Sequence, residues 1–381
     1  STDPAASRVR LTAIFEADRF EQYAFVEVPW LARESLSIAP HDADLVIDLF
    51  YRSFRGANFS RDQVTALNNS WIMGLTSNAA QDFQSASHAL SRDFPDLLAG
   101  HPETALRAFS AAVRGEQERS HPINTAAPGT EIWISGVVRP FVSDNSYVWA
   151  SNIDKSDHGD LARMFQALIR WASTPAGSDL ANTIPSLILS ETGIALAWRT
   201  LLQMAAADPG GLGLVVWRAA IERAILMSLD TVTDAVALLA AIYPFLSSPE
   251  RVDAETTVLA LDFSHAREPE KARISILGRL FETIGPAALV SDDARSFLSE
   301  IKADGRTFEN ARPYSFRISS GPSRHWLERE GVDVEAPAVS ALLDLAERVR
   351  SASKRLNEDA ENGEQTGSGL WPDVIVLKQA I

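Results

Sequence analysis

Seven histidines, at positions 41, 88, 101, 121, 158, 265 and 325, are the residues of this chain best suited to move protons or hold a metal near neutral pH. No two of them stand four apart, so the helical His-x-x-x-His chelate has no local support. His88 falls on an expected helix, and the others fall near expected boundaries, where capping and solvation explain them. The 381 residues contain no cysteine, which removes disulfides, thiolate zinc sites and cysteine nucleophiles together. A Gly-x-Ser-x-Gly nucleophile elbow is absent. Ser351-Ala352-Ser353-Lys354 has the Ser-x-x-Lys spacing of β-lactamase-like enzymes, but it lies late in a polar helix without the companion motifs. Pro209-Gly210-Gly211-Leu212-Gly213 is rich in glycine, yet it lacks the Gly-Lys-Ser/Thr that grips β/γ-phosphates and magnesium, and it sits between two helices, as a turn does. The acid pairs Asp42/Asp44, Asp292/Asp293 and Glu328/Glu330 mark helix starts or charged segments, where the helix dipole and solubility account for them. No cofactor or metal site is implied. A glycosidase-type pair of carboxylates is defined by separation in space, so an enzyme with an unrecognised site on a helical scaffold stays open as the alternative.

Two segments have the composition of recognition surfaces. The first contributes Trp133, Arg139, Tyr147 and Trp149, with Phe141 among them. Aromatic residues and arginine are the types enriched at binding hot spots. The competing reading is that they anchor an insert to the helices around it. The second segment, 306–329, is net basic in an acidic chain and contributes Arg312, Arg317, Arg324 and Trp326. It suits an anionic patch on a partner protein or on another part of a larger polypeptide. Local pairing with Glu328, Glu330 and Asp333 is the bland alternative.

These segments must be positioned by helices. Starts fall near 191, 212, 230, 249, 268 and 291, about every 20 residues, so two helices occupy about 40 residues, in the range of HEAT-like repeats. Ser, Asp or Glu, then Pro, then an acid recurs at these starts, which fits an N-cap, an N1 proline and a favourable charge. Further helices are expected over 42–56, from 59, and over 78–94, 102–116, 158–173 and 337–356. The stretch 9–30 is ambiguous between strand and helix. Residues 131–151 are β-branched, aromatic and punctuated by Gly136 and Pro140, so extended segments or a hairpin-like insert are expected there rather than a helix. The expected fold is mostly α: a solenoid of HEAT-like helix pairs with a small β-like insert. Its expected parts are an uncertain N-terminal segment (1–40), helical repeats (41–130), the insert (131–151), further repeats (152–305), a basic loop with a C-terminal helix (306–356), and an acidic linker and tail (357–381).

The balance of the chain narrows the partners. Hydrophobic residues make up 46% and charged residues 22%, a globular composition. A formal charge of −15 repels a phosphate backbone, so nucleic acid is not expected as the main partner, and a protein is. No apolar run reaches the roughly 18 residues that span a bilayer, and a cysteine-free acidic chain suits the cytoplasm. Ser1-Thr2-Asp3-Pro4 carries neither an initiator Met nor a signal-peptide core, so an engineered start, a cleavage product or a fragment of a longer chain is expected.

The run Arg139-Pro-Phe-Val-Ser-Asp-Asn-Ser-Tyr-Val-Trp-Ala, followed by 161–171, resembles the helical region of very large bacterial ATP-binding proteins of the STAND type, a family associated with antiphage defence. Ala197-Trp-Arg-Thr-Leu-Leu-Gln-Met-Ala-Ala-Ala-Asp-Pro, Leu229-Asp-Thr-Val-Thr-Asp-Ala and Ala240-Ala-Ile-Tyr-Pro-Phe-Leu are similar to it too. The similarity covers residues 40–260 and consists of helical patterns; the family's NTPase motifs are absent from this chain. What the resemblance implies is a helical sensor or scaffold portion, with a phage protein or neighbouring domains of the same polypeptide as partner.

Overall fold

A computed structural model describes residues 4–57, 66–67, 70–71, 79–123, 129–151, 153, 159–303, 305–311, 327 and 332–361. The chain divides into two compact units, Ser1–Pro313 and Tyr314–Ile381. The fold is mostly helical.

The first unit opens with α1 (Pro4–Thr12), α2 (Ala17–Arg33), the single turn α3 (Ser35–Ile38) and α4 (Ala43–Arg55). The ambiguous stretch 9–30 is thus helical. Asp42 caps α4 by accepting from the Leu45 amide at 3.1 Å, as its place before an apolar run predicts. After the paired dipeptides β1 (Ala66–Leu67) and β2 (Ser70–Trp71) come α5 (Ala79–Gly100) and α6 (Pro102–Ser120). The helix expected from residue 59 lies outside the described residues. α5 runs six residues past its expected end, straight through Pro95.

The insert is a two-stranded hairpin, β3 (Thr130–Ile134) and β4 (Val137–Phe141), in which Trp133 faces Val138 and Ile132 faces Arg139. Ser135 and Gly136 form its two-residue turn, both at positive φ (49° and 78°), the geometry that matches the strand twist. One helical turn follows, α7 (Ser146–Trp149), then α8 (Asp160–Ala172), the short α9 (Pro175–Asp179) and α10 (Ile184–Ile188), and α11 (Ala195–Ala207). α11 starts four residues later than the spacing predicts, because Gly193 and Ala195 bond the backbone of Val142 and lace the insert to the helix start (2.9 and 2.8 Å). The glycine-rich 209–213 is a π-helical turn whose Leu212 amide donates to Asp208. The helix expected over 212–228 breaks at extended Glu222 into α12 (Leu214–Ala220) and α13 (Arg223–Leu226). α14 (Val232–Ile242) ends where Pro244 tightens the chain into a 3-10 turn. α15 (Ser248–Leu259) has a capping box made by Ser247 and Glu250, and α16 (Pro269–Ile284) and α17 (Asp292–Ala303) complete the unit.

Packing follows a row: α2 lies against α5, and α5, α8, α11, α14, α16 and α17 each pack on the next. α6 packs along α4 on one side of this row and touches α10. One continuous apolar core runs from Ile14 to Ile301. Phe50, Phe94 and Phe109 join α4, α5 and α6 with ring centroids 6.1 and 6.4 Å apart, each pair adding about 1 kcal/mol beyond its buried area. Gly115 lets α6 close on α4: a Cβ there would meet the Tyr51 carbonyl oxygen and lie 2.8 Å from the Arg55 amide nitrogen. Near the far end, buried Glu255 of α15 accepts from the Tyr243 hydroxyl and from the Val290 and Ser291 amides at 2.9 and 2.7 Å, so it caps the approach to α17.

In the second unit, α18 (Pro337–Glu361) opens after a turn in which the Glu335 amide bonds Asp333 Oδ1, and it continues five residues into the stretch read as linker. No described helix is long and apolar enough to cross a membrane.

Candidate functional site

The hairpin and the turn that follows it organise two different surfaces. Alternation along β3 and β4 sends Ile132, Ile134 and Phe141 inward, where they are buried. The same alternation leaves Trp133 66% exposed beside Val138 on the outer face. The hairpin is well anchored. The Trp198 indole donates to the Pro140 carbonyl (3.0 Å), and its ring meets Phe141 edge-on.

Below the hairpin, α7 is held at both ends by buried charge. Asp144 Oδ1 accepts from the Ser146 amide (2.9 Å) and Oδ2 from the Leu196 amide in the first turn of α11 (3.2 Å). Asp230 Oδ1 accepts from the Tyr147 amide (3.0 Å), and its Oδ2 from the Ser143 hydroxyl (2.5 Å). Desolvation, then the nearby Asp230 charge, pushes the Asp144 carboxyl up to about 6, against the pull of its hydrogen bonds. At the other end, fully buried Arg199 donates to the Ser146 and Ala150 carbonyls (2.9 and 3.3 Å) and to Asp234 (3.1 Å), which also accepts from Gln203 (2.7 Å). Carboxylates at the start of the turn and a guanidinium at its end complement the peptide dipoles. Arg199 Nη2 has no hydrogen-bond partner among the described residues.

Held this way, α7 presents Trp149 to a cleft of about 430 Å³ bounded by α4, α5, α6 and α8. Trp149 stacks on His121 (centroids 4.3 Å, planes 13° apart) while its indole donates to the Asp144 carbonyl (2.8 Å). Glu116 and Arg119 pair on the α6 side (2.5 Å). On the α5 and α8 side, Asp160 accepts from Ser87 (2.8 Å) and Ser91 (2.9 Å), with Arg163 and His88 each 3.3 Å away. Ser87, His88 and Asp160 are the residue types of a hydrolytic triad, but the order is wrong for one. The carboxylate bridges serine and histidine, so among the described residues no imidazole stands against the Ser87 hydroxyl to take its proton. The cleft can accept hydrogen bonds and offer an aromatic face. No group of three or more His, Asp or Glu that could hold a metal ion occurs among the described residues.

The structure therefore separates the first set of candidates. Trp133 lies on the outer face of the hairpin and does not line the cleft; Trp149 lines the cleft, half-buried. Tyr147 is half-buried on the same turn, with its amide tied to Asp230. Arg139 is half-buried opposite Ile132, its Nε buried without a hydrogen-bond partner among the described residues. Arg312, Arg317, Arg324 and Trp326 lie outside the described residues. Sequence reasoning missed Glu116, His121, Asp160 and the buried pair Asp144 and Asp230. His121 was visible only as a residue just past a helix end, and nothing local announces that its ring meets an indole 28 positions on.

Comparison of the chain with protein-family models, with curated proteins and with solved structures finds no match.

Proposed function

We propose that this chain is a non-catalytic protein-binding or scaffold module, built as a row of HEAT-like helix pairs, with the β3–β4 hairpin as its recognition element. The observation that carries this reading is Trp133, a large aromatic side chain 66% exposed on a hairpin that the buried network beneath it holds in place. An anchored aromatic loses little entropy on docking, which is what makes such residues binding hot spots. The successive packing of α5, α8, α11, α14 and α16 supports the solenoid reading. The resemblance of residues 139–150 and their neighbours supports a ligand-sensing helical part of a larger bacterial STAND-type antiphage protein, acting in the cytoplasm. Its partner is then a phage protein or a neighbouring domain, and the net-basic composition of the segment with Arg312, Arg317, Arg324 and Trp326 suits an anionic patch on such a partner. Affinity capture from phage-infected and uninfected lysates tests this with wild type, Trp133→Ala and Arg317→Glu. A partner held by wild type and released by either substitution supports the reading. Retention by both variants removes these residues from recognition.

One observation favours a second reading. The cleft beside Trp149 gathers Ser87, Glu116, His121 and Asp160, polar groups convergent enough to take a small molecule, and an enzyme on this helical scaffold would work there. A thermal-shift screen of small metabolites against wild type and His121→Ala separates the two: a shift present in wild type and lost in the variant places a ligand in the cleft.

A further inference from the structure

The outward face of α2 carries an apolar surface independent of the hairpin and the cleft. Tyr23, Val26 and Trp30 are 52%, 52% and 71% exposed, whereas Ala24, Val28, Leu31 and Ala32 of the same helix are buried. With exposed Arg19 before them and exposed Arg33 after, the positions run 19, 23, 26, 30, 33. Steps of four, three, four and three are the seam of a helix that pairs with another helix. The Arg19 guanidinium is held in place by both oxygens of Glu27 (2.9 and 2.6 Å), so one end of the seam is a fixed cationic plane.

We propose that α2 is the contact through which two copies of this chain pair, antiparallel and about a twofold axis. Self-complementarity selects the register. With the axis between Ala24 and Phe25, Arg19 meets Trp30 of the second copy, Tyr23 meets its Val26, and Arg33 meets its Glu16, and the twofold makes each contact twice. Apolar residues cover apolar residues, a guanidinium faces an indole ring, and the remaining cation finds an anion. Glu16 is exposed immediately before α2, and Arg33 is in the last turn, so both ends are available to the partner helix. A register centred on Val26 would instead set Arg19 against Arg33, and like charges argue against it. The seam provides the attraction, while a net charge of −15 on each copy opposes it over longer range.

Sedimentation velocity of the full chain over a concentration series tests the pairing. Wild type should show a monomer–dimer equilibrium, and Trp30→Glu should be monomeric throughout. Arg33→Glu should weaken the dimer by about tenfold, and adding Glu16→Arg to it should restore the wild-type constant, since the swap recreates the pair. Circular dichroism should be unchanged in every variant, because the substituted positions are exposed. The charge-swap pair keeps the test independent of whether Trp30→Glu folds. A wild type that stays monomeric, a dimer indifferent to Trp30→Glu, or a swap that fails to restore pairing each overturns the proposal, and a monomer assigns the face to a different partner.

Discussion

Asp144 and Asp230 hold consecutive amides of the same helical turn, Ser146 N–H at 2.9 Å and Tyr147 N–H at 3.0 Å, with both carboxylates buried. Burial, and then the like charge of Asp230, raises the Asp144 carboxyl to about 6. A carboxyl that binds its proton more tightly folded than unfolded contributes stability as the pH falls. Between the ordinary carboxylate value and about 6 the folded state holds more protons, so this group's contribution is lost as pH rises through that window. From pH 7 down to pH 5 it alone should return about 1 kcal/mol. Urea unfolding at the two pH values should show this trend in wild type, and Asp144→Asn should flatten it. An unaltered pH profile in the variant would mean that Asp144 is not the group responsible.

Arg199 and Asp234 form a buried ion pair inside the same network. Arg199→Met leaves an uncompensated buried carboxylate and should cost about 3–5 kcal/mol. Adding Asp234→Leu should recover part of that loss, because it removes the buried charge but leaves the Ser146 and Ala150 carbonyls and the Gln203 amide without these partners. Denaturant melts of the two single variants and the double variant give the coupling directly.

Gly115→Ala sets helix propensity against packing. Alanine is favoured over glycine by about 1 kcal/mol in a helix interior. Here its methyl would press on the Tyr51 carbonyl and the Arg55 amide of α4, and overpacking of this kind costs about 1–3 kcal/mol. A lowered melting temperature is expected. Gly100→Ala has open space around its Cβ and serves as the control, unchanged or slightly stabilised.

Trp133→Ala should leave stability within about 0.5 kcal/mol of wild type, as for an exposed side chain free of special contacts. Any partner that docks on the hairpin should bind at least about thirtyfold more weakly to it, the loss of a hot-spot aromatic. Titration calorimetry against the captured partner reads the second effect, and differential scanning calorimetry the first.

The parts of the fold that were legible are those written in local chemistry. Asp42, Pro102, Pro269 and the Ser247/Glu250 box each mark a helix start, and each helix begins within a residue of its mark. The hairpin announced itself through β-branched residues around Gly136. The stretch 9–30 resisted assignment because its apolar residues occupy both faces of α2: Val28 and Leu31 pack inward while Tyr23, Val26 and Trp30 point out, which erases the helical period. The network under the hairpin was illegible for a different reason. Asp144, Arg199, Asp230 and Asp234 look like surface charges in sequence, and only the fold, through hydrogen bonds spanning 35 to 83 positions, brings them into one desolvated cluster. The same holds for the cleft, whose walls come from residues 54 to 162.

Arg199 can discharge its desolvation cost only when residues 146–150, α11 and α14 are all in place at once. A pure helical array can fray from one end, each unit leaning only on its neighbours. Here a single guanidinium binds an upstream insert to two later helices, so the middle of the chain has no low-energy way to come apart in pieces. Hydrogen exchange should find α7, α11 and α14 opening together, as one cooperative block flanked by layers that open independently.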